Sequence, residues 1–113
     1  MADKELLEWA AKAAGYVGFV GNDMGRLYFC IPADPGVPRS EPCIYYWLDD
    51  DGDALRLAVK LRLCFGPNFD GDAAVAFGRE GRNICEPYEG DPYAATRRAI
   101  VRAAAAIGQE GPI

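Results

Sequence analysis

The sequence contains no histidine, and its four cysteines are far apart along the chain. The cysteines are Cys30, Cys43, Cys64 and Cys85, and none lies within four residues of another. Zinc sites usually take closely spaced cysteine and histidine pairs, so the sequence predicts no metal centre of this kind. Each cysteine has apolar, strand-like neighbours, which favours buried thiols in a reducing cytosol. A redox or metal role for these thiols is the alternative.

Long apolar runs are also missing. No stretch approaches the roughly 18 residues that a membrane span requires. The first residues, Met1–Glu5, are charged and lead into a helical pattern, unlike the basic and apolar start of a signal peptide. We therefore expect a protein of the cytosol with no membrane partner.

Basic residues are fewer than acidic ones. The 113 residues include 12 lysines and arginines against 17 aspartates and glutamates, which gives a net charge of −5. Direct binding of nucleic acid needs a basic face, so this composition disfavours it. An acidic chain can instead occupy the basic groove of a nucleic-acid-binding partner, although solubility alone also accounts for such a charge.

Catalytic motifs are absent as well. Without histidine, a nucleophile lacks its usual base, and Ser40 lies in a proline-rich loop outside any G-x-S-x-G context. The glycines form neither a dinucleotide-binding fingerprint nor a Walker loop. The sequence thus predicts a protein that is not an enzyme and that uses no cofactor.

What the sequence does contain is the pattern of one α+β domain spanning residues 1–113. Helical spacing of apolar residues alternates with short β-prone runs separated by turn residues. The predicted fold is a largely antiparallel sheet of hairpins packed with three amphipathic helices in layers. The predicted elements are a helix over Lys4–Ala14, strands over Tyr16–Val20, Arg26–Ile31 and Cys43–Leu48, a helix after Asp53 to about Leu63 with Ala54, Leu57, Ala58 and Leu61 as its apolar stripe, strands over Leu63–Phe65, Ala73–Phe77 and Asn83–Pro87, and a last helix that Asp91 caps and Gly108 ends, with Tyr93, Thr96, Ile100, Ala103 and Ile107 as its inner stripe.

Three stretches together resemble a known family. They are Leu6–Gly15, then Trp47–Leu61 with its tryptophan, acidic turn and amphipathic helix, and finally Asp91–Ala104. The chain is similar to the phage ABA-sandwich domain family, small hypothetical proteins of tailed phages and prophages. The resemblance implies a phage or prophage origin, a bacterial cytosol, and layers of sheet and helix. It brings no catalytic residues with it.

An acidic cluster precedes the second predicted helix: Asp49, Asp50, Asp51 and Asp53. Carboxylates at a helix N-terminus cap free backbone amides and complement the helix dipole. The same oxygens are also the ligands that Mg²⁺ or Ca²⁺ prefers, although the spacing does not match an EF-hand loop. Capping is the interpretation we favour, and the cluster stays a candidate binding surface.

Two further groups are candidate binding residues. Arg97, Arg98 and Arg102 form a basic patch on the last helix, suited to a phosphate, a nucleotide signal or an acidic partner, or else to a solvated helix face. Tyr45 and Trp47 lie in an aromatic-rich segment. Such side chains either fill a core or, where exposed, mark an interface.

Two functional hypotheses follow. The first is a non-enzymatic phage or prophage accessory protein that binds and modulates a host bacterial protein, for example as an inhibitor of a defence system such as CRISPR. The second is a small-molecule binding protein that sequesters a nucleotide signal through the arginine patch. A pocket shared by arginine and aromatic side chains favours the second hypothesis, and an acidic or aromatic surface without such a pocket favours the first.

Overall fold

The computed structural model describes residues 3–21, 27–32, 43–44, 47–78 and 83–110. Within them the chain forms three helices and two antiparallel sheets, which confirms the predicted α+β class. The strand orders are β1-β2-β3 and β4-β5-β6. The elements are α1 (Asp3–Ala13), β1 (Tyr16–Gly21), β2 (Leu27–Pro32), β3 (Cys43–Ile44), α2 (Asp51–Leu61), β4 (Cys64–Pro67), β5 (Ala73–Phe77), β6 (Ile84–Pro87) and α3 (Pro92–Glu110).

The acidic cluster is part of the start of α2. The side chain of Asp50 accepts a hydrogen bond of 2.8 Å from the backbone N–H of Asp53, which is the geometry of an N-cap. The helix therefore begins at Asp51, within the acidic run that was predicted to precede it. It ends where Arg62 adopts the left-handed conformation with φ of 58°.

The start of α3 agrees with its prediction, and its end does not. The Asp91 carboxylate accepts from the backbone N–H groups of Tyr93 and Ala94, each at 3.1 Å, and Pro92 is the first helical residue. Gly108 was expected to end the helix, but the helix continues to Glu110. Gly108 is instead a buried point of contact with α1, as discussed below.

The hydrophobic core surrounds α3, which contacts α1, α2 and all three strands of the second sheet. Most buried side chains on these elements are small. Buried alanines lie on α1 at positions 10 and 11 and in the turn after it at 14, on strand β5 at 74 and 76, and on α3 at 95, 99 and 103–105. Small side chains let the backbones approach closely, and Trp47, Leu57, Ile100 and Val101 fill the remaining volume.

The second sheet presents two different faces. Cross-strand pairs place Phe65 opposite Ala76 on one face, and Cys64 opposite Phe77 on the other. Ala76 is fully buried on the α3 side, whereas Cys64 is exposed on the opposite side. Cys85, which pairs with Val75, is exposed there too. The expectation of buried thiols is therefore wrong for these two cysteines.

Other expectations differ in detail or lie outside the described residues. The strand predicted over Cys43–Leu48 is shorter, since Trp47 and Leu48 lie in a turn. Tyr93, predicted on the inner stripe of the last helix, is exposed. Residues 22–26, 33–42, 45–46 and 79–82, which carry the predicted turns, the proline-rich loop and Tyr45, lie outside the described residues.

Candidate functional site

An open apolar groove of about 380 Å³ lies between α2, β4 and the first turns of α3. Three of its side chains are large, apolar and unusually exposed: Leu55 at 50%, Phe65 at 40% and Tyr93 at 70%. Ile100 on α3 also lines the groove and belongs to the core. Exposed apolar side chains that line one concave surface make this groove a candidate binding site.

Each groove side chain owes its position to a different element. The sheet register places Phe65 on the α3 side of β4, and Pro67 follows two residues later on the same face. Leu55 flanks the buried stripe of α2, next to Ala54 in sequence. Tyr93 belongs to the first turn of α3, where the Asp91 cap holds its backbone.

A partly buried arginine forms the polar edge of the groove. Arg97 donates from Nε to the carbonyl oxygen of Leu48 at 2.9 Å, and from Nη1 to Oδ1 of Asp51 at 2.6 Å. The Arg97 side chain is only 16% exposed, while that of Asp51 is 68% exposed. The guanidinium thus ties α3 to the turn before α2 and fixes one wall of the groove.

A second cavity, of about 450 Å³, is polar and lies between α3, β6 and α1. Glu86 is its centre: Oε1 lies 3.6 Å from Nε of Arg98, and Oε2 accepts from Nη1 of Arg102. Arg102 also donates to the carbonyl oxygen of Cys85 at 3.3 Å. The two arginines therefore share one carboxylate and carry one net positive charge as a group.

The predicted arginine patch is consequently divided between two sites. Arg98 and Arg102 lie one helical turn apart and meet at Glu86, whereas Arg97 points to Asp51 at the groove. Successive helical residues are rotated by about 100°, which separates Arg97 from Arg98. No aromatic side chain lines the Glu86 cavity among the described residues.

The remaining sequence candidates have structural roles or border the groove. Asp50 caps α2, Asp53 accepts from Arg56 at 3.1 Å, and Asp51 binds Arg97. Asp49 is exposed in the turn before the helix. Trp47 is 2% exposed and belongs to the core.

Sequence reasoning missed the apolar groove residues and Glu86. Leu55 flanks the predicted apolar stripe of α2. An apolar residue outside that stripe was the sequence feature that could have indicated an exposed apolar surface. Tyr93 matched the spacing of an inner stripe and gave no sign of exposure. Phe65 and Glu86 depend on the sheet register, which only tertiary pairing determines.

Within the part of the chain that the structure describes, His, Cys, Asp and Glu side chains form no group of three that could hold a metal ion. The described helices include none with the length and apolar character needed to cross a bilayer. The described part is an α+β protein with an apolar groove and an arginine–glutamate cavity. Comparison with protein-family models, curated proteins and solved structures finds no match for the chain.

Proposed function

We propose that this chain is a non-enzymatic binding protein that docks a host protein in the groove between α2, β4 and α3. The observation that carries the proposal is the exposure of Leu55, Phe65 and Tyr93 along one concave surface. At protein interfaces a few side chains, enriched in tyrosine, tryptophan and arginine, provide most of the binding energy. The rigid elements around them reduce the entropy lost on binding.

The absence of enzymatic activity is part of this proposal. The most acidic segment of the chain uses its carboxylates for a helix cap and for ion pairs with Arg56 and Arg97. These charged residues therefore stabilise the start of α2 and its contact with α3, which form two walls of the groove. A reaction would require acid, base and nucleophile to converge on one point.

The biological setting of the proposal rests on the resemblance to small phage and prophage proteins. It makes the chain an accessory protein in the host bacterial cytosol, with a defence system such as CRISPR as a candidate target. The layered arrangement expected for that family is proposed for the same reason. Contacts of α1 with β1 and β2, and of α3 with β4–β6, support helices lying between the two sheets.

The proposal is tested by affinity capture from a bacterial lysate with matched variants. The groove variant is Leu55→Ser/Tyr93→Ser, and the control is Phe77→Ser, which removes an exposed phenyl ring from the opposite sheet face. We expect the wild type and the control to retain one host protein in stoichiometric amount, and the groove variant to lose it. Thermal melting establishes that all three proteins are folded. Capture that is indifferent to the groove substitutions contradicts the proposal.

The alternative function is sequestration of a nucleotide signal. The Glu86 cavity supports it, and the apolar groove does not. Its volume suits a small ligand, and Arg98 and Arg102 each have N–H donors suited to phosphate oxygens. The shared carboxylate of Glu86 opposes an anion there, and the groove aromatics are not among the residues that line this cavity. Recovery of a nucleotide with the purified chain would favour this alternative over the first.

A further inference from the structure

The surroundings of the groove are strongly acidic. The turn before α3 and the loop between β4 and β5 meet through a hydrogen bond of 3.1 Å from the Tyr88 N–H to the Asp72 carbonyl oxygen. The start of α2 joins the same end of the molecule through the ion pair between Asp51 and Arg97. The described carboxylates of this end are Asp49, Asp50, Asp51, Asp53, Asp70, Asp72, Glu89 and Asp91.

Few positive charges balance them. On these segments and on the part of α3 that lines the groove, the described cations are Arg56, Arg97 and Arg98. Each lies against a carboxylate, that of Asp53, Asp51 and Glu86 respectively. The N-termini of α2 and α3 contribute only about half a unit of positive charge each. Among the described residues, the groove therefore combines apolar side chains with an excess of carboxylates on the adjoining segments.

This combination determines which chemistry fits the groove. Phosphate groups of nucleotides, nucleic acids or anionic lipids are repelled by the surrounding carboxylates. Apolar side chains of a partner gain from contact with Leu55, Phe65 and Tyr93, and neighbouring lysines or arginines gain from the negative potential. Complementary charge also accelerates the encounter of the two proteins.

We propose that the groove recognises a segment of its partner in which apolar side chains are flanked by lysine or arginine. The inference rests on the proposed function and adds the chemical class of the partner to it. Phe69, which follows Pro67 of the groove by two residues, is also fully exposed. Asn68 holds its loop by accepting from the N–H groups of Asp72 and Ala73 at 3.0 and 3.3 Å.

The experiment uses a displayed library of short random peptides, selected against the full chain. Enriched peptides are then synthesised with a fluorophore, and their affinity is measured by anisotropy. Asp70→Asn/Glu89→Gln removes two exposed charges, one on the loop that follows Pro67 and one on the turn that precedes α3. Glu5→Gln/Glu8→Gln makes the same change in net charge on α1, which lines no part of the groove. Leu55→Ser/Tyr93→Ser tests the apolar contact itself.

We expect the enriched peptides to combine leucine or aromatic residues with lysine or arginine. Their affinity should fall at least about tenfold in the Leu55→Ser/Tyr93→Ser protein, as for hot-spot residues. It should fall severalfold in Asp70→Asn/Glu89→Gln but stay unchanged in the α1 control. It should also weaken between about 0.01 M and about 1 M salt, over which the Debye length shortens from about 30 Å to about 3 Å.

The other outcomes separate the two proposals. If the enriched peptides are neutral or acidic but their binding still requires Leu55 and Tyr93, the proposal of a basic partner segment is wrong. The proposal that the groove is a docking site would still be supported. Equal losses in the two charge variants would show a general effect of net charge and would overturn the inference as well. If no selected peptide depends on Leu55 or Tyr93, the docking groove itself is wrong. Selective binding to vesicles of neutral phospholipid, lost in Leu55→Ser/Tyr93→Ser, would replace the protein partner with a membrane.

Discussion

The backbone of Gly108 in α3 lies directly against the carbonyl oxygen of Trp9 in α1. A Cβ atom at position 108 would be 2.0 Å from that oxygen and 2.9 Å from the carbonyl carbon of Trp9. These are backbone atoms of a helix, so they cannot rotate away as a side chain would. Glycine is therefore what allows α1 and α3 to approach this closely.

We predict that Gly108→Ala destabilises the protein by about 1–3 kcal/mol, the usual cost of an overpacked core, despite the better helix propensity of alanine. Gly52→Ala in α2 is the matched control, because its Cβ would meet only side-chain atoms of Asp50 and Arg56, at 3.3 and 3.4 Å. Its stability should change by less than that of Gly108→Ala, because the Asp50 carboxylate that caps α2 has to move by only a few tenths of an ångström. Urea denaturation of both variants gives the comparison, and equal stability of the two would contradict the close contact.

Gly108 also illustrates what could be predicted from the sequence. Local signals were sufficient for the Asp91 cap, the Pro92 start and the buried face of α2, because these depend on nearby residues. A glycine near the end of a helix gives the same sequence pattern whether it terminates that helix or packs against a second helix. The groove was missed for a related reason, since Leu55 and Tyr93 come together only through tertiary packing.

The Asp50 carboxylate offers a test of capping against cation binding in the acidic cluster. Asp50→Ala removes the acceptor for the Asp53 N–H and should cost about 0.5–2 kcal/mol, whereas Asp50→Asn keeps an acceptor oxygen and should cost little. Asp70→Ala, in an exposed loop, is the control and should stay within about 0.5 kcal/mol of wild type. Thermal melting with and without millimolar Mg²⁺ or Ca²⁺ completes the test. A melting temperature raised by either ion, and lost in Asp50→Asn, would favour the cation site.

The two exposed cysteines should react with thiol reagents while the protein is folded. Cys64 and Cys85 lie on the same sheet face, on strands that are separated by β5. Two strand spacings amount to roughly 9.6 Å, beyond the Cα separation of about 7 Å that a disulfide tolerates. We expect peptide mass spectrometry to find both residues alkylated in the native state. Mild oxidation should produce no Cys64–Cys85 link within one chain, and detection of that link would contradict the register.

Glu86 should determine whether the arginine cavity binds anions. Glu86→Gln keeps the shape of the side chain but raises the net charge of the group with Arg98 and Arg102 from one to two. Because these arginines are partly exposed, the lost ion pairs should cost less than about 1 kcal/mol of stability.

The same substitution should tighten the binding of ATP, measured by calorimetry, by about fivefold, since a unit charge at about 4 Å contributes about 1 kcal/mol in water. Glu89→Gln changes the net charge of the chain equally, and Glu89 does not line this cavity. It should leave the affinity for ATP unchanged. If wild-type protein binds ATP as tightly as Glu86→Gln does, then Glu86 does not oppose the anion. That result would support the nucleotide-binding alternative, because the carboxylate of Glu86 would no longer count against anion binding in this cavity.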